Sequence, residues 1–498
     1  MHSSYLKKLI TITLFVGSMQ IKAQVKNVFL DRSFWKTNPT TATIDQKIKE
    51  GNNVSQANGA NFDATVYAIL ENVDNKTIKH LLTKNGNGVN KLTHDGRTYI
   101  FWAAYKNNTE LVKHLINNGA NTNILDDKGY SVLNFAAVGG VTNTKLYDLL
   151  LANGANLTKD VTPKGANALH LVAPNVDNFK VIDYFISKGL SITSTDNDGN
   201  TVFNYVAQKG NTKMLDLLIK KGVPYQSLNK NGGNAMIFAT KGARRHTNSL
   251  NFFKYLEGLG ISPNITTKNG TTPLHNLAYN NKDLASYNYF ISKGVNTNQA
   301  DKDGNTALLN AASRNSLEII KLLVQKSDNI NHTNNSGYSA LTKAMRNSPE
   351  VIEFLLQKKA EVSVNDKKGY NLAYHLFKTY NDKNIVDFNK KLTLLEANGL
   401  KTAAINKNGS SLYHLAVEKN STSMIQFIKK YAIDINTKNK DGLTPLQLAV
   451  MVGKNHELIK LLIAEGANTS VTTDFDETLY DLAKENEALK NTDINYLK

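Results

Sequence analysis

DKDGNTALLNAASRNSLEIIKLLVQ, residues 301–325, holds the reading that decides the fold. Its opening resembles a cation loop, with Asp301 and Asp303 at alternate positions and Gly304 closing the stretch. A calcium loop needs a bidentate Glu six residues after its glycine, and that place is held by Asn310. After the glycine come two helical patterns, TALLNAAS and LEIIKLLVQ, in which apolar residues recur at spacings of three and four. The aspartates therefore shape a turn that leads into a helix pair.

The same turn returns along the chain. Glycines ahead of a Thr, Ser or Asn and an apolar-Ala run stand at Gly96, Gly129, Gly165, Gly199, Gly232, Gly270, Gly304, Gly337, Gly369, Gly409 and Gly442. Successive intervals run from 32 to 40 residues and centre on 33, so the chain carries eleven copies of one unit. Each unit ends its second helical stretch with another glycine turn, as in NGAN at 118–121 and 153–156 and EGAN at 465–468. The expected architecture is an all-α repeat solenoid: helix-turn-helix units with hairpin-like tip loops, stacked into a curve with a concave face.

GTTPLHNLA at 270–278 and GLTPLQLAV at 442–450, the latter followed by LIKLLIAEGAN, resemble the ankyrin repeat. The resemblance covers nearly all of the chain after its first residues and implies about twelve to thirteen repeats, degenerate and capping units included. Val206 replaces the usual first alanine after Gly199, and GYNLAYHLF after Gly369 has no Ala pair, so packing there is expected to differ. Residues 58–475 are assigned to the solenoid. Ahead of it, 24–57 reads as a lead-in whose segment Ile44–Val54 resembles the second helix of a half-unit, and the stretch from Gly59 to Leu92 as a unit without the turn glycine. At the other end Asp476 stands where the glycine should be, and 476–498 carries a polar helix suited to a cap.

The first residues, MHSSYLKKLITITLFVGSMQIKAQ, combine Lys7 and Lys8 with an apolar run and a small residue at Ala23. That is the pattern of a secretory signal at 1–23, cleaved between Ala23 and Gln24, and the run is too short to remain as a membrane span. The chain has no cysteine, which excludes disulfides, thiolate chemistry and a lipid on an N-terminal cysteine. The expectation is export as a soluble protein, to the periplasm if the cell has two membranes.

Catalytic signatures are wanting. There is no HExxH or GxSxG pattern, and GNGVNK at 86–91 lacks the full phosphate-loop spacing. His170, His275 and His414 each lie five residues beyond a turn glycine, where the ankyrin resemblance implies a brace for the tip rather than a metal ligand. No metal, cofactor or catalytic residue is assigned.

Function is expected on the surface formed by tips and first helices, which the resemblance implies is the face that binds proteins. Counting from each turn glycine, the exposed positions are two and one before it, one after it, and nine and ten after it. They hold seventeen basic side chains against six acidic ones, whereas the chain without its first 23 residues has 56 basic and 42 acidic. Second helices carry balancing acids such as Glu110, Glu318, Glu350, Glu353 and Glu457. The partner-binding set read from these positions comprises Arg97, Lys106, Lys209, Lys230, Lys241, Lys268, Lys302, Arg314, Arg346, Lys367, Lys378, Lys407, Lys419 and Lys440, joined by Tyr105, Tyr279, Tyr338 and Tyr370. An insertion KGARRH at 241–246 adds Arg244 and Arg245. A second insertion, KTYNDKNIVDF after Gly369, is either a further contact or tolerated length.

The leading expectation is an exported, non-enzymatic scaffold whose basic face holds an acidic protein. The alternatives are a peripheral binder of anionic envelope polymer or lipid, and an accessory to a periplasmic enzyme, since some bacterial periplasmic ankyrin proteins of similar architecture support peroxide defence. Nucleic acid is not expected without a recognised binding motif. Oligomeric state is left open by the sequence.

Overall fold

The computed structural model of the chain describes residues 27–243, 246–453, 456–490 and 492–498, so the expected cleavage point between Ala23 and Gln24 lies outside the described residues. Two compact units are present, one comprising residues up to 172 with 180–190, the other 173–179 with 191–498.

In the first unit the inner helices are Arg32–Trp35, Ala64–Leu70, Tyr99–Tyr105, Val132–Val138 and Ala168–Val172. Each is followed by an outer helix: Thr41–Lys49, Asn75–Leu82, Thr109–Asn117, Thr144–Leu151 and Lys180–Ser187. The lead-in thus supplies a full helix pair rather than a half, anchored by the buried Phe29, Trp35 and Ile44. The second unit repeats the pattern eight times, from Val202–Lys209 with Thr212–Lys220 to Pro445–Val452 with His456–Ala464, and closes on Leu479–Glu485. That last helix buries Leu479, Leu482 and Ala483 and leaves its polar side to solvent, as the end of a stack must. Among the described residues there are no strands, only isolated bridges such as Leu125 with Ser131.

The opening stretch shows why the period folds this way. Thr306 caps the inner helix Ala307–Ala312 and Ser316 caps the outer helix Leu317–Gln325, each hydroxyl accepting from an amide three residues on. The inner helix is buried on all sides because neighbouring inner helices flank it, and small residues such as Ala311 and Ala312 let them approach. The outer helix buries only Ile319, Ile320 and Leu323, one stripe of its surface.

Asp301 turns out to be a backbone acceptor. Its carboxylate takes the amides of Asp303 (2.9 Å) and Asn305 (2.8 Å). Asn334 does the same for Ser336 (3.1 Å) and Tyr338 (3.0 Å), and Asn439 for Asp441 (3.0 Å) and Leu443 (3.1 Å). A neutral amide serves as well as a carboxylate because only an acceptor oxygen is required. The glycine that follows adopts a left-handed conformation. At Gly270 φ is +75°, and a Cβ would stand 2.4 Å from the carbonyl oxygen of Ala300.

Two further turns lack the glycine yet keep the geometry. Asn61 (φ 59°) and Asp476 (φ 60°) hold its place, each donating its amide to the residue three back, Asn58 (2.8 Å) and Thr473 (3.0 Å). Asn and Asp tolerate the left-handed region better than other side chains with a Cβ.

Tips are joined edge to edge. In the second unit, the amides of Lys230, Lys268, Lys302, Asn335, Lys367, Lys407 and Lys440 donate to the preceding tip at Asp198, Asn231, Asn269, Asp303, Ser336, Gly369 and Asn408, over 2.7–2.9 Å. The ladder runs unbroken past both long intervals. Extra residues are taken up between the helices instead. Phe377, Tyr380 and Phe388 of the unit after Gly369 pack with Phe427 of the next unit, ring centroids 5.0–5.9 Å apart, and Leu376 and Phe377 stand where the opening unit has its Ala pair. Tyr380 is buried, so that insertion contributes to the core.

Candidate functional site

The histidines brace the tips. The Nδ1 of His275 lies 3.1 Å from the Thr272 amide and accepts from it, while its Nε2 meets the Asn305 carbonyl of the next repeat at 2.9 Å. His414 repeats this arrangement with Ser411 (3.1 Å) and Leu443 (3.0 Å). Burial pushes both imidazoles below their ordinary pKa, consistent with a neutral ring that donates on one side and accepts on the other.

Arg97 is the clearest departure from the sequence reading. It is only 7 % exposed; its guanidinium binds Asp126 through Nε (2.8 Å) and Nη2 (2.7 Å) and lies 4.2 Å from the centre of the Phe135 ring. Its charge is consumed within the fold, and it does not present itself to a partner. Near it, Tyr105 is exposed and stacked on Phe135 at 5.0 Å, and Lys106 is half-exposed.

In the second unit Lys209, Lys230, Lys241, Lys268, Lys302, Arg314, Arg346, Lys367, Lys378, Lys407 and Lys440 are all exposed, as is Tyr279. Lys419, Tyr338 and Tyr370 are half-buried, and Arg244 and Arg245 lie outside the described residues. Two tip lysines have a structural task as well: Lys230 Nζ reaches back to the Asn197 carbonyl and Lys268 Nζ to that of Lys230, both over 2.8 Å. Their charges stay at the surface. Two cations beside outer helices are paired, Lys293 with Glu257 (2.5 Å) and Lys429 with Glu465 (2.8 Å), whereas Lys213, Lys254 and Lys321 on such helices have no carboxylate ion pair among the described residues. Among the described residues, no such carboxylate pairs with Lys209, Lys302, Arg314, Arg346, Lys367, Lys378 or Lys407.

Three residues of the expected set, Tyr338, Arg346 and Lys378, converge on one pocket of about 480 Å³. Two more come from a position that the sequence reading left out, six residues after the turn glycine: Lys343 and His375. That position points along the inner helix toward the tip. Elsewhere it holds Trp102, Phe135, Tyr205, Asn276 or Leu415, so an ionisable residue there in two successive units was the available signal.

Lys343 is half-buried and donates from Nζ to Asn305 Oδ1 (2.9 Å); burial pushes its ammonium pKa down, with Asp301 opposing. The His375 ring stands edge-on to Tyr338 at 5.2 Å, with Nε2 3.1 Å from the buried Asp366 carboxylate. Burial lowers its pKa against the pull of Asp366, and Lys378 and Arg346 push the same way as burial. Beside the pocket, Lys419 Nζ donates to the Lys378 carbonyl (3.1 Å), and its pKa is lowered by burial and by the Lys378 charge. The cations here repel one another. At the rim stands one carboxylate, Asp303. Tip lysines continue the basic surface, since Lys367, Lys368 and Lys407 surround a second depression of similar size, about 480 Å³.

Nothing in this arrangement supplies a nucleophile with an oriented base. It can hold anions by charge and by hydroxyl and guanidinium donors.

Comparison with known proteins agrees with the geometry. A 97-residue stretch is 31% identical to alpha-latrotoxin-Lg1a of Latrodectus geometricus, covering 19% of this chain and 7% of that protein. A 78-residue stretch is 36% identical to the poly [ADP-ribose] polymerase tankyrase of Caenorhabditis elegans, covering 14% and 3%. The likeness therefore spans a small part of either relative. The family model for ankyrin repeats in three copies matches residues 66–161, 169–266, 274–366 and 378–473. With helix pairs, left-handed turns and histidine-braced tips across those same residues, the chain belongs to the ankyrin-repeat family.

Proposed function

We propose that this ankyrin array is a non-catalytic scaffold that captures an acidic protein on the tip and inner-helix face of its second unit. Ankyrin repeats generally act as protein-interaction modules, which is the class-level support. One observation carries the specific reading: Lys209, Lys302, Arg314, Arg346, Lys367, Lys378 and Lys407 share this face, and among the described residues none of them has a carboxylate ion-pair partner. Desolvating a paired cation means breaking its pair, whereas an unpaired one is available to a partner. Long-range attraction from such a face speeds encounter, and Tyr279, Tyr338 and Tyr370 supply rigid surface for residence. The N-terminal pattern of residues 1–23 supports export, so the partner is sought outside the cytoplasm.

The test is charge reversal at Lys209, Lys302 and Arg314 together. All three side chains are exposed, so the melting temperature is expected to stay within a degree or two while capture of the acidic partner from the native envelope is lost. Capture that persists after reversal removes the basic face from the account. Binding of protein-free anionic vesicles or envelope polymer by the unaltered chain assigns the face to those surfaces instead.

A further inference from the structure

Within the second unit, one place on the basic face is built to receive a group rather than merely attract it. The pocket between the tips after Gly304 and Gly337 and the inner helices Ala340–Ala344 and Leu372–Phe377 carries Lys343, Arg346 and Lys378, with Asp303 as the rim carboxylate. These three cations outnumber the single lining carboxylate, and the Asp366 carboxylate lies against the lining His375, 3.1 Å from its Nε2. Its donors outnumber its acceptors. Lys343 gives one hydrogen to Asn305, which leaves two, and the guanidinium of Arg346 and the ammonium of Lys378 face solvent.

Size narrows the occupant. A volume of about 480 Å³ is far more than one carboxylate fills and lies within the usual range for a small-molecule-sized group. Tyr338 and the buried Met345 form an apolar wall that can cover the methylenes of an acidic side chain. The pocket adjoins the tips, where the Lys367 amide bonds Ser336 of its lining and Lys367, Lys368 and Lys407 continue the positive surface.

We propose that this pocket anchors two neighbouring carboxylate side chains, Glu-Glu or Asp-Glu, on an acidic segment of the partner that bends locally, so that both side chains enter from one side. One carboxylate is held by the fork of Arg346 and the other by Lys343 and Lys378. The inference rests on the proposed capture of an acidic protein and specifies where and how that capture is anchored.

The experiment uses the full chain without its first 23 residues and a fluorescein-labelled peptide with a central Glu-Glu pair flanked by Gly and Ser, read by fluorescence anisotropy. Arg346→Glu and Lys378→Glu are the main variants, since both side chains are exposed and the fold does not depend on them. Each is expected to weaken binding about tenfold or more, and a Gln-Gln peptide is expected to bind no better than those variants do. Lys343→Met, which keeps the length of the stem, is expected to weaken it by a similar factor. If reversal at Lys209, Lys302 and Arg314 abolishes peptide binding while Arg346→Glu and Lys378→Glu leave it unchanged, the face reading stands and the pocket falls. If neither set matters, both fall. A phosphoserine peptide or inorganic pyrophosphate that displaces the Glu-Glu peptide at lower concentration than the peptide itself also overturns the assignment, because the pocket would then select a phosphoryl group.

Discussion

Replacing His275 tests whether adjacent repeats are coupled through their tips. The imidazole is 2 % exposed and bonds two backbone groups, the Thr272 amide of its own turn and the Asn305 carbonyl of the next repeat, with the Thr272 hydroxyl also 2.8 Å from its Nδ1. Alanine leaves both backbone groups in the interior without a partner, at about 1–3 kcal/mol each, so His275→Ala should cost about 2–6 kcal/mol. The chain contains its own graded control. Gln447 occupies the equivalent position after Gly442 and accepts the Thr444 amide over 2.9 Å, while its amide nitrogen finds no partner among the described residues. His275→Gln should therefore keep the bond within the turn, lose the bond between repeats, and cost about half as much, roughly 1–3 kcal/mol.

Because an array of this length need not unfold in one step, the assay is residue-level hydrogen exchange alongside urea unfolding followed by helical circular dichroism. With alanine, protection should fall at Thr272 and at Lys302, whose amide belongs to the ladder linking the same two tips. With glutamine, Thr272 should stay protected and only the neighbouring tip should loosen. Equal losses for the two variants, or a cost below about 1 kcal/mol for alanine, would refute the bracing argument and leave the backbone ladder as the sole coupling.

Further outcomes follow from the same geometry. Burial depresses the pKa of His275, His375 and His414, so on acidification the unfolded chain takes up protons first; their stabilisation is complete above about pH 6.5 and is lost as pH falls below it toward the depressed values. Urea midpoints should thus drop between pH 7.5 and 5.5, and a His275→Gln, His414→Gln double variant should show a shallower dependence over that window. Arg97→Ala should cost about 3–5 kcal/mol, since it strands the buried Asp126, and should leave partner affinity per folded molecule unchanged, as checked by calorimetry on the soluble fraction. Asp63→Ala should cost a similar amount in the first unit, because the fully buried carboxylate holds the Tyr99 hydroxyl (2.7 Å), the Lys91 ammonium (2.7 Å) and the Val66 amide (2.9 Å); chemical denaturation measures it. Gly270→Ala should destabilise by more than the roughly 1 kcal/mol of left-handed strain alone, since the new methyl meets the Ala300 carbonyl; a Gly258→Ala control, with open space around it, should not.

The period, the helix pairs and the identity of most tip residues were legible because glycine in a left-handed turn has no substitute as economical, and eleven of them mark the register. Asp476 was legible as the residue standing where the glycine should be, but Asn61 was not: it reaches that conformation with an ordinary polar side chain of a kind that occurs throughout the loops. At the candidate site, sequence position gave the side a residue lies on but not the direction of its side chain. Arg97 shares its slot with Tyr338 and Tyr370, which stay half-buried, yet it turns fully inward to Asp126, whose own place in the turn makes it an acceptor. Lys343 and His375 were overlooked because their slot is occupied in most units by residues that pack, and only the pocket shows what a charge there does. Lys230 and Lys268 look like free surface charges, while their ammonium groups also tie down the preceding tip.

The edge-to-edge bonding of the tips has a consequence for how such a chain can change over time. Amide-to-carbonyl links at Lys268 and Lys407 are made at 2.7 and 2.8 Å, although the repeats they close are 38 and 40 residues long rather than 33. Length added between the helices is therefore not felt at the ladder. The tips act as a ruler with fixed divisions, and a partner that reads their charges at that spacing is insulated from insertions elsewhere in the repeat. Growth of the loops and tuning of the binding face can proceed as separate events, each open to selection without disturbing the other.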